Sequence, residues 1–331
     1  MSATRVPHVP ANSPTQRDQL RVLVVDPIHE DAIAALSSAY DVRVQLTPSE
    51  DELIRLIAHA HILVVRSGVT VTRQVIEVAR SLRIIARAGV GVDNIDLEGA
   101  RRAGISVFNV PDASNRAVAE FALGLILAVT RKIPHADSAM RTGRWDKPEL
   151  SGVELAGRTL GLLGCGRVGL QIAHLAAGFG MEILAAVEHP DRQRRRDFAA
   201  NGVRLVGLET VMQAADIVCL ALPLTNKTRN LIAHDQLAMM KRGAYLVNVA
   251  RAEIINTGDL YDALRRGKLA GAALDVHAGG LATVALSQLD SVVLTPHIAA
   301  MTEEAQRRVG ERIVEVIAAI LNGQPVPSRI C

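Results

Sequence analysis

From Arg21 onward the chain alternates short apolar runs with amphipathic stretches, and it does so in two successive series. Segments of strand length alternating with segments of helix length are the pattern of a parallel sheet joined by crossover helices, so an α/β fold is expected. In the first series, runs at 21–26, 41–46, 61–66, 82–87 and 105–108 read as strands, and 29–38, 49–59 and 93–103 as helices. A longer helix over about 113–131 follows, with Asp112 and Ser114 as candidate caps. A polar loop holding Trp145 leads to the second series, with strands at 159–163, 181–187, 203–206, 216–221, 243–249, 271–275 and 291–294. An amphipathic helix over about 302–322 comes last. Aromatic residues make up only 2% of the chain, so its cores must be built from Val, Leu, Ile and Ala. That palette suits strands covered by helices on both faces, and 331 residues suit two domains.

Several function classes are excluded at this level. A net charge of +3 on a chain of this size creates no broad field for nucleic acid or a membrane surface. Cys165, Cys219 and Cys331 are odd in number and widely spaced. They fit neither a disulfide framework nor a zinc motif, so a reducing cytoplasm is expected and no metal. The first twenty residues, rich in proline and polar groups, read as a disordered leader without the apolar middle of a signal peptide. The longest apolar stretch, Phe121 to Thr130, is too short to span a bilayer.

The first strand of the second series runs into Gly164-Cys165-Gly166-Arg167-Val168-Gly169. This spacing alone is weak, but here it follows an apolar strand, opens a helical stretch over 168–178 and precedes another strand, as a dinucleotide fold requires. Gly164 permits the tight turn, Gly166 leaves room for a pyrophosphate, and Gly169 lets the helix pack on the strand, while the helix N-terminus offers N–H groups and a positive dipole end. At the end of the next strand stands Glu188, suited to accept bonds from the ribose hydroxyls of NAD. Arg192, Arg194, Arg195 and Arg196 follow; they could hold the 2′-phosphate of NADP or form a solvated helix face.

In an open parallel sheet, ligands sit outside the carboxyl ends of the strands. Three such ends carry reactive groups here: Arg251 after 243–249, Asp275 closing 271–275, and His297 after 291–294. Hydride transfer to a 2-keto acid needs a cation to grip carboxylate and carbonyl, for which the planar arginine fork is suited. It also needs an acid for the developing alkoxide, and an imidazole with a reference pKa of about 6.5 works in either direction near neutrality.

These residues resemble the D-isomer-specific 2-hydroxyacid dehydrogenases, closest to the D-3-phosphoglycerate dehydrogenase branch. The likeness runs from about Arg21 to Gly323. It is carried by Arg87-Ala88-Gly89-Val90-Gly91-Val92-Asp93-Asn94, Asn109-Val110-Pro111 with Asn115 and Val118-Ala119-Glu120, the glycine turn, Ala215 to Val218 with Leu222-Pro223-Leu224-Thr225, Asn248 to Arg251, and Leu294 to Ile298. The resemblance implies two Rossmann-like, doubly wound domains with a cleft between them. A flavodoxin-like substrate domain would span 1–110, completed by 297–331, and the dinucleotide-binding domain 111–296. It further implies NAD as cofactor, with NADP the open alternative, and a homodimer acting on a small 2-keto or 2-hydroxy acid. By the same resemblance Arg251 binds the keto acid, His297 is the acid/base and Asp275 supports the site. The substrate would meet Ser67, Gly68, Val90, Gly91 and Asn115. The cofactor would meet the glycine turn, Glu188, Leu222, Pro223, Thr228, Asp275 and His297. With a tail ending at Cys331, feedback by an amino acid through an appended sensing domain is not expected.

One departure stands out. The family's histidine is paired with a glutamate, usually in a Glu-Pro pair, five residues after the aspartate matching Asp275; here that position is Gly280. A carboxylate beside an imidazole orients it and favours its protonated form. Asp275, His277 or a phosphate on the substrate could substitute. The competing reading is a nicotinamide-binding sensor or scaffold with weak catalysis. Arg66 and Arg87 could serve a phosphorylated acid or be structural.

Overall fold

The structure, a computed structural model, describes residues 20–188 and 190–331. The expected leader therefore lies outside the described residues, apart from Leu20. The chain divides into two compact units, one made of the residues up to Ser114 together with Thr302–Cys331, the other of Asn115–Met301.

The first unit is built on a five-stranded parallel sheet of β1 (Arg21–Val24), β2 (Asp41–Val44), β3 (Ile62–Val65), β4 (Ile84–Arg87) and β5 (Ser106–Asn109), in the order β2-β1-β3-β4-β5. This is the flavodoxin-like order, whose switch point lies between β1 and β3. Consecutive side chains of a strand point to opposite faces, so the apolar run of β1 serves two cores. Val22 and Val24 meet Val309, Ile313 and Ile317 of the helix Glu303–Leu321 on one face. Leu23 and Val25 meet Leu53, Ile57 and Val75 on the other. Fully burying an aliphatic side chain of this kind contributes about 1.5–3 kcal/mol, which is why the central strands read as continuous apolar runs. The helix expected over 93–103 is shorter, Leu97–Arg102. Its start is fixed by Asp96, whose side chain accepts the Gly99 N–H at 2.9 Å. The preceding residues are drawn into loop bonds, including Val71 N–H to the Asn94 carbonyl at 2.8 Å.

The second unit holds a seven-stranded parallel sheet: β6 (Thr159–Leu163), β7 (Glu182–Ala186), β8 (Val203–Leu205), β9 (Ile217–Leu220), β10 (Ala244–Asn248), β11 (Leu269–Leu274) and β12 (Val292–Leu294). Their order, β12-β11-β10-β9-β6-β7-β8, winds outward in both directions from the β6/β9 pair. That is the dinucleotide-binding topology, and its switch point falls between β6 and β9. Leu160 and Leu162 pack with Ile126 and Ile172 on one face, while Leu163 and Leu246 pack with Val211, Leu237 and Leu260 on the other. The helix expected over 113–131 is the helix Asn115–Thr130. It ends where Lys132 turns left-handed at φ +53°, and a separate helix, Ile133–Arg141, follows with a proline in its first turn. Among the described residues no helix is long and apolar enough to cross a membrane.

Candidate active site

The glycine turn sits at the switch point of the second unit. Gly164 has φ +84°, a conformation that costs most residues about 1–2 kcal/mol, and a Cβ there would lie 2.5 Å from the Ala221 carbonyl oxygen. Gly169 is equally constrained, since a Cβ would come within 2.7 Å of the Gly164 carbonyl oxygen. Gly166 differs: a Cβ there meets nothing within 4 Å. It leads into the helix Arg167–Ala177, whose N-terminus no side chain caps. Open space over uncapped N–H groups fits a pyrophosphate. Arg167 and Val168 form the first turn of that helix. Cys165 is buried in the core at 2% exposure, and that burial pushes its thiol up to about 12.

Across the switch point, Leu222 and Pro223 follow β9. Thr228 fastens their loop, its hydroxyl donating to the Pro223 carbonyl at 2.7 Å and accepting the Thr225 N–H at 2.8 Å. The fastened loop brings Lys227 onto Glu188, Nζ to Oε1 at 2.6 Å. This pairing was not anticipated, because the partners lie 39 positions apart in the chain and no local pattern links them. Arg192, Arg194, Arg195 and Arg196 are all exposed on the helix Arg192–Ala200.

The ends of β10, β11 and β12 carry the three reactive groups. Asn248, fully buried, accepts the Ala250 N–H at 2.9 Å and donates to the Arg251 carbonyl at 2.8 Å. This turn projects Arg251, whose Nη1 donates to the Ala250 carbonyl at 2.7 Å. Asp275 is also buried, at 1% exposure. One carboxylate oxygen accepts the Thr295 hydroxyl at 2.7 Å and the Ile298 N–H at 2.8 Å, and the other accepts the Ala299 N–H at 2.9 Å. The Asp275 carbonyl accepts the His297 N–H at 2.8 Å. Asp275 thus clamps the 295–299 turn, and His297, at its apex, is left-handed with φ +57° and exposed. A non-glycine residue in that region costs roughly 1–3 kcal/mol and persists where its surroundings over-determine it, typically at functional sites.

Gly279 and Gly280 are both left-handed, at φ +72° and +66°, and lead into the helix Gly280–Ser287. A side chain at 280 would have room but a strained backbone. A glutamate therefore cannot be restored there without cost. Of the groups weighed as its substitute, Asp275 has both oxygens engaged. His277 has a buried Nδ1 with no hydrogen-bond partner among the described residues.

In the first unit, Ser67 and Gly68 lie in the loop after β3, at that sheet's switch point. The loop is held by Asp26, whose carboxylate accepts the Arg66 N–H at 2.6 Å and the Val69 N–H at 3.3 Å. Asn94 holds it from the other side, donating to the Arg66 and Val69 carbonyls, both at 2.6 Å. Asp26 was missed in the sequence, although an acid closing the apolar run Arg21 to Val25 was the signal. Arg66 is engaged structurally, its Nη1 donating to the Pro27 carbonyl at 3.0 Å and to Gln306 at 2.6 Å. Arg87 is buried at the end of β4, with its guanidinium over Gly89. Val90 and Gly91 follow in a loop pinned by Asn109, which donates to the Val90 carbonyl at 2.7 Å. Their own N–H groups make no backbone hydrogen bond among the described residues. Asn115 opens the helix that begins the second unit.

Sheet order, glycine turn and strand-end groups together define a dinucleotide-binding α/β protein. Residues 123–299 match the family described as "D-isomer specific 2-hydroxyacid dehydrogenase, NAD binding domain". The chain is 44% identical over 307 residues to a D-3-phosphoglycerate dehydrogenase of Methanocaldococcus jannaschii, covering 92% of this chain but 58% of that protein. It is 42% identical over 302 residues to a hydroxypyruvate reductase of Thermotoga maritima, covering 90% of this chain and 97% of that one. Among solved structures, the D-lactate dehydrogenase of Aquifex aeolicus complexed with NAD and lactic acid superposes with a TM-score of 0.82 at 25% identity, covering 92% and 96% of the two chains. The chain belongs to the D-isomer-specific 2-hydroxyacid dehydrogenases, a family of NAD-dependent oxidoreductases. It spans less than two thirds of the phosphoglycerate dehydrogenases that it matches.

Proposed function

We propose that this chain interconverts a small 2-keto acid and its D-2-hydroxy acid, using NAD. The observation that carries the proposal is the strained left-handed His297, held at a strand end by the Asp275 clamp beside the Asn248-organised turn of Arg251. NAD, when bound, supplies or takes up the hydride. The glycine turn would hold its pyrophosphate, and Glu188 its ribose, with Leu222, Pro223 and Thr228 shaping the loop alongside. Arg251 would grip the keto acid through its planar fork. His297 would give a proton to the developing alkoxide in reduction and take it back in oxidation. Asp275 acts on His297 through the backbone of the 295–299 turn. In the first unit, the Val90 and Gly91 N–H groups suit a substrate carboxylate, with Ser67 and Gly68 in the neighbouring loop. Exposed Ile133, Met140 and Trp145 in the second unit are apolar surface that association into a homodimer would cover.

The absence of a carboxylate at Gly280 favours a second reading, a nicotinamide-binding sensor or scaffold with little turnover. Consumption of reduced nicotinamide with glyoxylate, hydroxypyruvate and phosphohydroxypyruvate separates the two. Turnover with any of them, at a kcat on the order of 1 s⁻¹ or above, is the expected result. Silence across the panel with NADH still bound establishes the sensor.

A further inference from the structure

We propose that Asp26 and Asn94 are positioning residues for the keto acid: together they brace the loop 66–69 so that the Ser67 and Gly68 N–H groups meet an oxygen of the bound substrate. The inference rests on the reading of this chain as a keto-acid dehydrogenase. The loop follows β3 at the switch point of the first sheet, where an open parallel sheet takes its ligands. Its ends, Arg66 and Val69, are half-buried and buried, while Ser67 and Gly68 between them are exposed. Each end is fastened twice. Asp26 Oδ2 accepts the N–H of Arg66 at 2.6 Å and that of Val69 at 3.3 Å. Asn94 Nδ2 donates to the carbonyls of the same two residues, both at 2.6 Å. The Ser67 and Gly68 N–H groups are left with no partner among the described residues.

Neither anchor is there for stability alone. The Asp26 carboxylate is buried at 2% exposure, where a charge is costly to hold. Asn94 Oδ1 is buried with no hydrogen-bond partner among the described residues, which is also destabilising. Both residues spend their bonds on the backbone of one exposed loop. Such a brace has a use where donors must be aimed before a ligand arrives, because a preformed loop needs no ordering on binding. A Cβ at Gly68 would lie 2.3 Å from Asp26 Oδ1, so the carboxylate sits against the loop itself and acts through it.

The test is steady-state reduction by the full chain, with NADH and hydroxypyruvate or whichever keto acid supports turnover, for wild type, Asp26→Ala, Asp26→Asn and Asn94→Ala. Asp26→Ala and Asn94→Ala are each expected to raise KM for the keto acid by about 10- to 100-fold, with kcat within about threefold and NADH affinity within about twofold of wild type. Asp26→Asn keeps an oxygen able to accept both N–H groups, and KM should return to within about threefold of wild type. A merely structural role would lower the melting temperature and the active fraction, and hence kcat, without moving KM. Should Asp26→Ala fail to fold, Asn94→Ala decides. An unmoved KM in Asn94→Ala, or an equal loss of NADH affinity, overturns the inference alone. A wild type that reduces no keto acid overturns the dehydrogenase reading with it.

Discussion

His297→Ala is expected to lower kcat for keto-acid reduction by about 10²–10⁴-fold, the usual contribution of a positioned proton donor, while NADH affinity stays within a few-fold of wild type. The imidazole is held on a turn whose N–H groups at Ile298 and Ala299 are both taken by Asp275. Removing the side chain leaves that turn and the glycine turn untouched, so protein folding and cofactor binding should survive. Alanine also removes nothing from the core, because His297 is exposed. A melting temperature equal to that of wild type would confirm that the loss is chemical. Turnover within about tenfold of wild type in the variant would remove His297 from the chemistry. The role of the acid would then need another group, and His277 is the nearest other histidine in the sequence.

Asp275→Ala should be damaging in a different way, affecting stability as well as rate. The carboxylate is buried and satisfies three donors at once. Each donor left without a partner in a buried place costs about 1–3 kcal/mol, and the three share one site, so a loss on the order of 3 kcal/mol is expected. In a unit of this size that lowers the melting temperature by roughly 6–12 °C. The left-handed His297 then keeps its backbone bonds but loses the side-chain clamp on the 295–299 turn, and misplacement of a catalytic group by about 1 Å can cost on the order of 10²-fold in rate. Asp275→Asn keeps an acceptor in the same place and should fall between. A variant that melts and turns over like wild type would show that the clamp is not what aims His297.

Much of this was legible in the sequence, and what was not has a physical reason. The central strands of both sheets were visible because a strand buried on both faces writes itself as an uninterrupted apolar run, as at Ile62–Val65. The glycine turn was visible because its three glycines answer demands made within a few residues of each other. The clamp was not. Asp275 bonds to groups at 295–299, and only chain folding brings them together; sequence reading placed Asp275 beside the site but could not say that its oxygens were already engaged. Lys227 on Glu188 is a meeting of the same long-range kind. The helix Ile133–Arg141 was hidden for a different reason: its sequence is mostly polar and reads as part of the loop holding Trp145. Gly280 was read as a lost glutamate from its position alone; its left-handed φ, which disfavours any side chain there, was not legible in the sequence.

The most direct measurement follows the hydride itself. NADH carrying deuterium at the transferring C4 position is incubated with the keto acid that supports turnover, and the product is resolved for isotope content and handedness. Deuterium at C2 of the D-2-hydroxy acid, formed one for one with the oxidised cofactor, is the expected result. A product without deuterium at C2, or one of the L series, would contradict it.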